Sequence, residues 1–235
     1  MKKSKRYRVL LEKIEKDKIY DIDEAIGLLK ELHSVKFDET VELSGKLGID
    51  VKKLQQPIRG SVVLPHGTGK KVKVLVFAQG ENIEKAKKAG ADYVGGQEYI
   101  DKIKNGWLDF DAVVSTPDMM RHVATLGKIL GPRGLMPSPK TGTVTFEVEK
   151  VINELKKGRV DFKVDREGNI HLPVGKISFP AEKLKENIIT AVNALLNAKP
   201  QGAKGTYIRS LYLSLTMSPS IPLNVNKVLQ LAKGM

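Results

Sequence analysis

Cysteine is absent from the 235-residue sequence, which excludes disulfides, thiol nucleophiles, iron–sulfur clusters and cysteine-based zinc sites, and fits a reducing compartment. Aromatic residues are sparse at 6%, with a single Trp. The histidines His33, His66, His122 and His171 are scattered, with neither metal-ligand spacing nor a nucleophile to pair with. No metal and no cofactor is therefore expected. Apolar runs such as 72–77 and 211–215 are far shorter than the roughly 20 residues a membrane helix needs. The basic N-terminus has no apolar stretch behind it, so neither a secretory signal nor a membrane span is expected.

Positive charge is abundant. Lys and Arg number 40 against 27 Asp and Glu, a formal net charge of +13 that points to polyanionic partners. Hydrophobic residues at 41% suffice for packed cores and exclude disorder as the main state. The length favours two compact units over one.

Periodicity divides the chain into two styles. Residues 7–15 and 23–32 read as short amphipathic helices, with Asp21 and Glu24 spaced as a capping box. Over 40–49 the period becomes two: Val41, Leu43, Leu47 and Ile49 alternate with polar neighbours, a strand with one wet face. From 67 to 157 strands (72–77, 92–94, 112–114) alternate with helices (83–89, 98–105 and one opened by Thr116-Pro117), the pattern of a small parallel sheet covered on both faces, a Rossmann-like domain.

After residue 158 the two-residue alternation returns. Val160, Phe162 and Val164, a turn at 165–168, and Ile170, Leu172 and Val174 read as a hairpin. A helix over 180–197 and a one-sided strand over 210–217 follow. The two ends share a style that the middle lacks, so the economical architecture is a discontinuous domain, 1–66 with 158–235, into which 67–157 is inserted. The insert carries 15 basic and 11 acidic residues and the flanking halves 25 and 16, making the flanking domain the stronger electrostatic footprint.

Enzymatic motifs do not survive inspection. Gly67-Thr68-Gly69-Lys70-Lys71 lacks phosphate-loop spacing and precedes a strand; a crossing between the two halves explains it better. Gly95-Gly96 lacks the three-glycine dinucleotide spacing. The Gly- and Pro-rich loop 131–143, with Arg133 and Lys140, is equally a phosphate-contacting loop or a rigid connection. His171 is either a surface polar residue or an RNA contact, and Phe37 either a core residue or an aromatic platform. If the polar faces starting at Thr40 and Ser210 are coplanar and ringed by Lys46, Arg166 and Lys176, they form a surface that grips sugar and phosphate. Composition alone also allows a binder that uses charge without specificity.

Five motifs carry a resemblance over essentially the whole chain: Lys36-Phe37-Asp38-Glu39-Thr40-Val41-Glu42, Gly90-Ala91-Asp92-Tyr93-Val94-Gly95, Gly131-Pro132-Arg133-Gly134-Leu135-Met136-Pro137, Ile170-His171 with Pro173-Val174-Gly175-Lys176, and Gly202-Ala203-Lys204-Gly205. With these the sequence resembles the bacterial large-subunit ribosomal protein L-one family. The resemblance implies an α/β protein of two domains: domain one a split β-α-β sheet with helices on one face, domain two an inserted Rossmann-like unit joined by two crossings. It implies no enzymatic activity and a monomer when free, located in the cytoplasm in the large ribosomal subunit. The implied partners are the mobile stalk of large-subunit ribosomal RNA, exit-site tRNA whose movement and release the family assists, and the messenger of its own operon, which the family represses.

Carried over residue by residue, the implied RNA surface comprises Lys36, Phe37 and Thr40; Arg166, His171, Gly175 and Lys176; and Ser214, Thr216, Met217 and Ser218, with lesser contacts from Arg133 and Lys140. Ser218 stands where the family usually has Gly, and a Gly there would allow positive φ or close backbone approach.

Overall fold

The computed structural model describes residues 3–15, 17–49, 58–200 and 205–234. Gly202, Ala203 and Lys204 of the last motif lie outside the described residues. The chain forms two compact units, Met1–Gly69 with Val160–Met235, and Lys70–Arg159. In chain order the elements are α1 (Lys5–Glu12), α2 (Ile22–Leu32), β1 (Thr40–Leu47), β2 (Arg59–Val63), β3 (Val74–Phe77), α3 (Glu81–Lys88), β4 (Tyr93–Gly95), α4 (Gln97–Lys104) and β5 (Ala112–Ser115). There follow α5 (Met120–Val123), α6 (Gly127–Leu130), α7 (Val148–Lys157), β6 (Arg159–Lys163), β7 (Asn169–Lys176), α8 (Ala181–Asn197), β8 (Ile208–Leu215), β9 (Ile221–Leu223) and α9 (Val225–Lys233).

In the discontinuous unit the principal sheet has the order β7-β1-β8-β9, antiparallel throughout. The strands β7 and β8, joined by α8, flank β1, which is the split β-α-β arrangement. One face is apolar: Val41 and Leu43, Ile170 and Leu172, and Leu211 and Leu213 belong to one core with Ile26 and Leu29 of α2 and Leu184 and Ile188 of α8. Truncating one of these fully buried aliphatics to Ala costs about 2–5 kcal/mol. Among the described residues the other face holds the polar half of each alternation.

Two expectations are corrected here. The segments 160–164 and 170–174 do not pair as a hairpin: β6 pairs with β2 and β7 with β1. Alternation reports that one face of a strand is buried, not which strand lies beside it. The turn between them is real, closed by the Asp165 N–H to the Asn169 carbonyl at 2.9 Å, but it passes the chain from one sheet to the other. Asp21 occupies the N-cap position of α2 without a side-chain capping bond; its carboxylate instead meets Lys227 Nζ at 2.5 Å, an ionic partner from α9.

The inserted unit holds a parallel sheet of order β4-β3-β5. All four residues of β3 are buried, as a central strand covered on both faces requires. Leu75 and Phe77 meet Ile100, Ile103 and Leu130 on one side, while Val74 and Val76 meet Ile152 and Leu155 on the other. The helix expected after Pro117 is broken into two 3-10 turns alternating with α5 and α6. Met119, Val123, Leu126 and Leu130 still fall on the buried side, so the spacing is helical, while Gly127 in mid-segment weakens a continuous helix.

Candidate nucleic-acid interface

Period-two alternation along β1 sends Val41, Leu43 and Leu47 inward and leaves Thr40, Glu42, Ser44 and Lys46 on the open face. Antiparallel register then sets cross-strand neighbours: Thr40 opposite Lys176, Ser44 between His171 and Tyr212, Glu42 opposite Ser214, and Lys46 between Asn169 and Ser210. The polar faces beginning at Thr40 and Ser210 are therefore coplanar. His171 Nδ1 lies 3.0 Å from the Ser44 hydroxyl, fixing the exposed imidazole on this face.

At one end of the sheet the expected residues converge. Lys176 Nζ donates to the Thr40 hydroxyl at 2.8 Å and to the Asp38 carbonyl at 3.3 Å, and the Thr40 N–H donates to the Thr216 hydroxyl at 3.2 Å. Three residues that lie far apart in sequence thus share one hydrogen-bonded corner. Phe37 is 50% exposed and Met217 45%, so Phe37 is no core residue. Its aromatic ring is left to solvent because the alternation that buries side chains starts only with Glu39.

The turn after β8 explains Ser218. Its N–H closes onto the Leu215 carbonyl at 3.2 Å, while its hydroxyl accepts from the Leu215 N–H at 2.9 Å and donates to the Pro219 carbonyl at 3.0 Å. The only non-glycine residue with positive φ among those described is Asp17, so Ser218 needs no glycine-like conformation. It satisfies a strand-end amide that a glycine would leave to another partner.

At the opposite end of the open face Arg166 rides on an ordered turn. Asp165 Oδ1 accepts the N–H groups of Glu167 at 2.8 Å and Asn169 at 2.7 Å, and Oδ2 accepts from Asn169 Nδ2 at 2.9 Å. The Asn169 N–H, helped by the Asn169 amide, the Glu167 N–H and the charge of Lys46, holds the Asp165 carboxyl below its ordinary 3.8. Lys46 Nζ donates to the Glu167 carbonyl.

The remaining expected residues are placed differently. Gly175 is buried beside the irregular pairing of Val41 and Glu42. A Cβ on it would sit 2.8 Å from Leu184 Cδ2, so it lets β7 close onto α8 rather than presenting a surface. Lys36 is exposed near His33 and Ser178. Arg133 and Lys140 are exposed on the loop of the inserted unit, which is seated by Leu135 and Met136 against that unit's core.

The structure adds residues that the sequence did not single out. Glu39 is 1% exposed and bonded to Met217, Arg6 reaches the Met217 carbonyl at 3.4 Å, and Tyr212 is 38% exposed in the middle of the polar face. A signal existed for Glu39: its parity with Val41 and Leu43 puts a carboxylate on the inward side of β1. For Arg6 there was none, because its contact is made 211 residues away along the chain. Among the described residues no cluster of His, Asp or Glu is placed to hold a metal ion, and no helix is long and apolar enough to cross a membrane.

The structure thus defines a two-unit α/β protein with an inserted parallel sheet and an open sheet face that bears hydroxyl and cationic side chains. Comparison with known proteins makes this specific. The profile of the ribosomal protein L1p/L10e family matches residues 29–219. A protein of Thermus thermophilus named large ribosomal subunit protein uL1 is 58% identical over 224 residues, covering 95% of this chain and 98% of that protein. A Persephonella marina protein of the same name is 54% identical over 233 residues, 97% of this chain and 96% of the relative. The chain belongs to the ribosomal protein L1p/L10e family, and as such is a structural, non-enzymatic protein.

Proposed function

We propose that the protein is a component of the large ribosomal subunit in the cytoplasm, free as a monomer, that binds the mobile stalk of large-subunit ribosomal RNA. In this reading residues 1–66 and 158–235 are the RNA-binding domain and 67–157 an inserted domain with lesser contacts through Arg133 and Lys140. The observation that carries it is the corner joining Thr40, Lys176 and Thr216, with exposed Phe37 and Met217 beside it in sequence. Support also comes from relatives named for the large ribosomal subunit.

Recognition is by shape. Hydroxyls of Thr216 and Ser214 and nearby backbone groups meet riboses and phosphates, and the 2′-hydroxyl separates RNA from DNA. Lys36, Lys176 and Arg166 supply salt-sensitive attraction. The same surface is proposed to serve a similar fold in the protein's own messenger, repressing its translation, and the stalk-bound protein is proposed to assist exit-site tRNA release.

The test is binding to a stalk-RNA fragment beside an RNA duplex of equal length and a matched DNA, each across a salt series. A preference of roughly 10³-fold or more for the stalk at physiological salt supports the reading. Near-equal binding that collapses with salt overturns it in favour of a charge-only binder.

A further inference from the structure

Glu39 immediately precedes β1, in phase with its inward residues Val41 and Leu43, and it is 1% exposed. A carboxylate so buried is tolerated only if its oxygens find donors. Oε1 accepts the Met217 N–H at 2.9 Å and Oε2 lies 2.7 Å from His33 Nδ1. Its own carbonyl accepts the Ile177 N–H at 2.9 Å. One residue therefore joins the end of α2, the start of β1, the segment after β7 and the turn after β8.

What it joins is notable for exposure. Phe37, two residues before Glu39, and Met217, bonded to it, are two of the large apolar side chains left open to solvent. The Met217 carbonyl is met by Arg6, so this exposed residue has both backbone groups committed. Exposed apolar side chains on a fixed backbone suit unstacked bases, since the ordering cost is met before binding. Strand pairing alone does not call for a buried carboxylate here; an apolar side chain would fill the position.

We propose that Glu39 is a positioning residue for RNA recognition: with His33 it latches the 216–217 backbone to β1, fixing Met217 and Phe37 to receive unpaired bases. This rests on the reading of the 214–218 segment as an RNA contact. Glu39 touches no RNA and carries no phosphate contact, so its loss acts on specific affinity and not on the salt slope.

The test compares the full-length protein with its Glu39→Ala, Glu39→Gln and His33→Ala variants. Two readouts are taken: hydrogen exchange of the Met217 amide in the free protein, and affinity for stalk RNA against the duplex. Glu39→Ala is expected to speed Met217 exchange at least tenfold and to cut stalk-RNA affinity about tenfold, with duplex binding and salt slope unchanged. Glu39→Gln keeps an acceptor for Met217 and a donor for the other His33 tautomer, so it is expected to restore both. His33→Ala, which leaves Met217's acceptor in place, should fall between.

Unchanged Met217 exchange in Glu39→Ala overturns the latch whatever the RNA does. Faster exchange with unchanged stalk affinity overturns the positioning role, and so does Glu39→Gln falling as far as Glu39→Ala. If the unaltered protein itself shows no preference for stalk RNA while Met217 is protected, the functional reading fails and takes this role with it. Should Glu39→Ala not fold, the Glu39→Gln and His33→Ala pair decides by the same two readouts.

Discussion

The Thr40 N–H donates to the Thr216 hydroxyl at 3.2 Å, so the side chain proposed to grip a ribose is also a link between β1 and the turn after β8. Thr216→Val keeps the shape and removes the acceptor and the donor together. A net hydrogen bond of about 1 kcal/mol corresponds to roughly fivefold, and two are at stake. Specific RNA affinity is expected to fall about 10–30-fold, and Thr216→Ser to stay within about threefold of the parent. A loss in Thr216→Ser with Thr216→Val near the parent would show that the methyl, not the hydroxyl, matters.

Lys36 and Lys176 differ in ways a salt series can read. Removing Lys36 is expected to lower the slope of log affinity against log salt by about 0.7–0.9, one phosphate contact. Lys176 already donates to the Asp38 carbonyl and the Thr40 hydroxyl, so Lys176→Ala should lower the slope similarly and also lose affinity that persists at high salt. Two variants with parallel, superimposable salt curves would remove this distinction.

The turn bearing Arg166 has a pH window. The Asp165 carboxyl is held below 3.8 by the Asn169 N–H. A depressed carboxyl contributes stability above its unfolded value that disappears as pH falls through the native one. The turn is therefore expected to be intact from neutrality to below pH 3.8 and to open only as pH falls through the depressed native value, seen in NMR as movement of the Asn169 and Glu167 amides with one carboxyl titration. Asp165→Asn should abolish that titration. Amides that move instead near pH 6 would point to a different group.

Asn187 on α8 is fully buried, donating to the Gly67 carbonyl at 2.9 Å and the Val174 carbonyl at 2.8 Å and accepting the His66 N–H at 3.1 Å. Asn187→Leu keeps the volume and strands three backbone groups. It is expected to cost about 2–5 kcal/mol in denaturant unfolding of the discontinuous unit. A loss under about 0.5 kcal/mol would mean that those groups find other partners.

Much of this architecture is legible because periodicity survives folding. Val41 and Leu43 with Leu211 and Leu213 alternate in sequence and line one core, and the α/β class follows from the change to βαβ grammar between 67 and 157. What alternation does not carry is pairing: Val160 and Phe162 read the same whether β6 faces β7 or, as found, β2. Asp21 and Glu24 have capping-box spacing, yet Lys227, some two hundred residues on, takes the carboxylate. Within the candidate interface the exposed and hydroxyl residues were nameable from motifs. The parity of Glu39 with Val41 and Leu43 marks it as inward-facing but not its bond to Met217, Arg6 acts through a contact that no local pattern announces, and Ser218, a departure in sequence, is a self-contained turn in the structure.

The most direct test of the central claim is to titrate the isotope-labelled full-length protein with stalk RNA and follow every backbone amide. Perturbations concentrated on residues 36–40, 166–176 and 214–218, with smaller ones near Arg133 and Lys140, are the predicted result. Perturbations spread evenly over lysine-bearing helices, or greatest within 70–159 with the open sheet face silent, would contradict it.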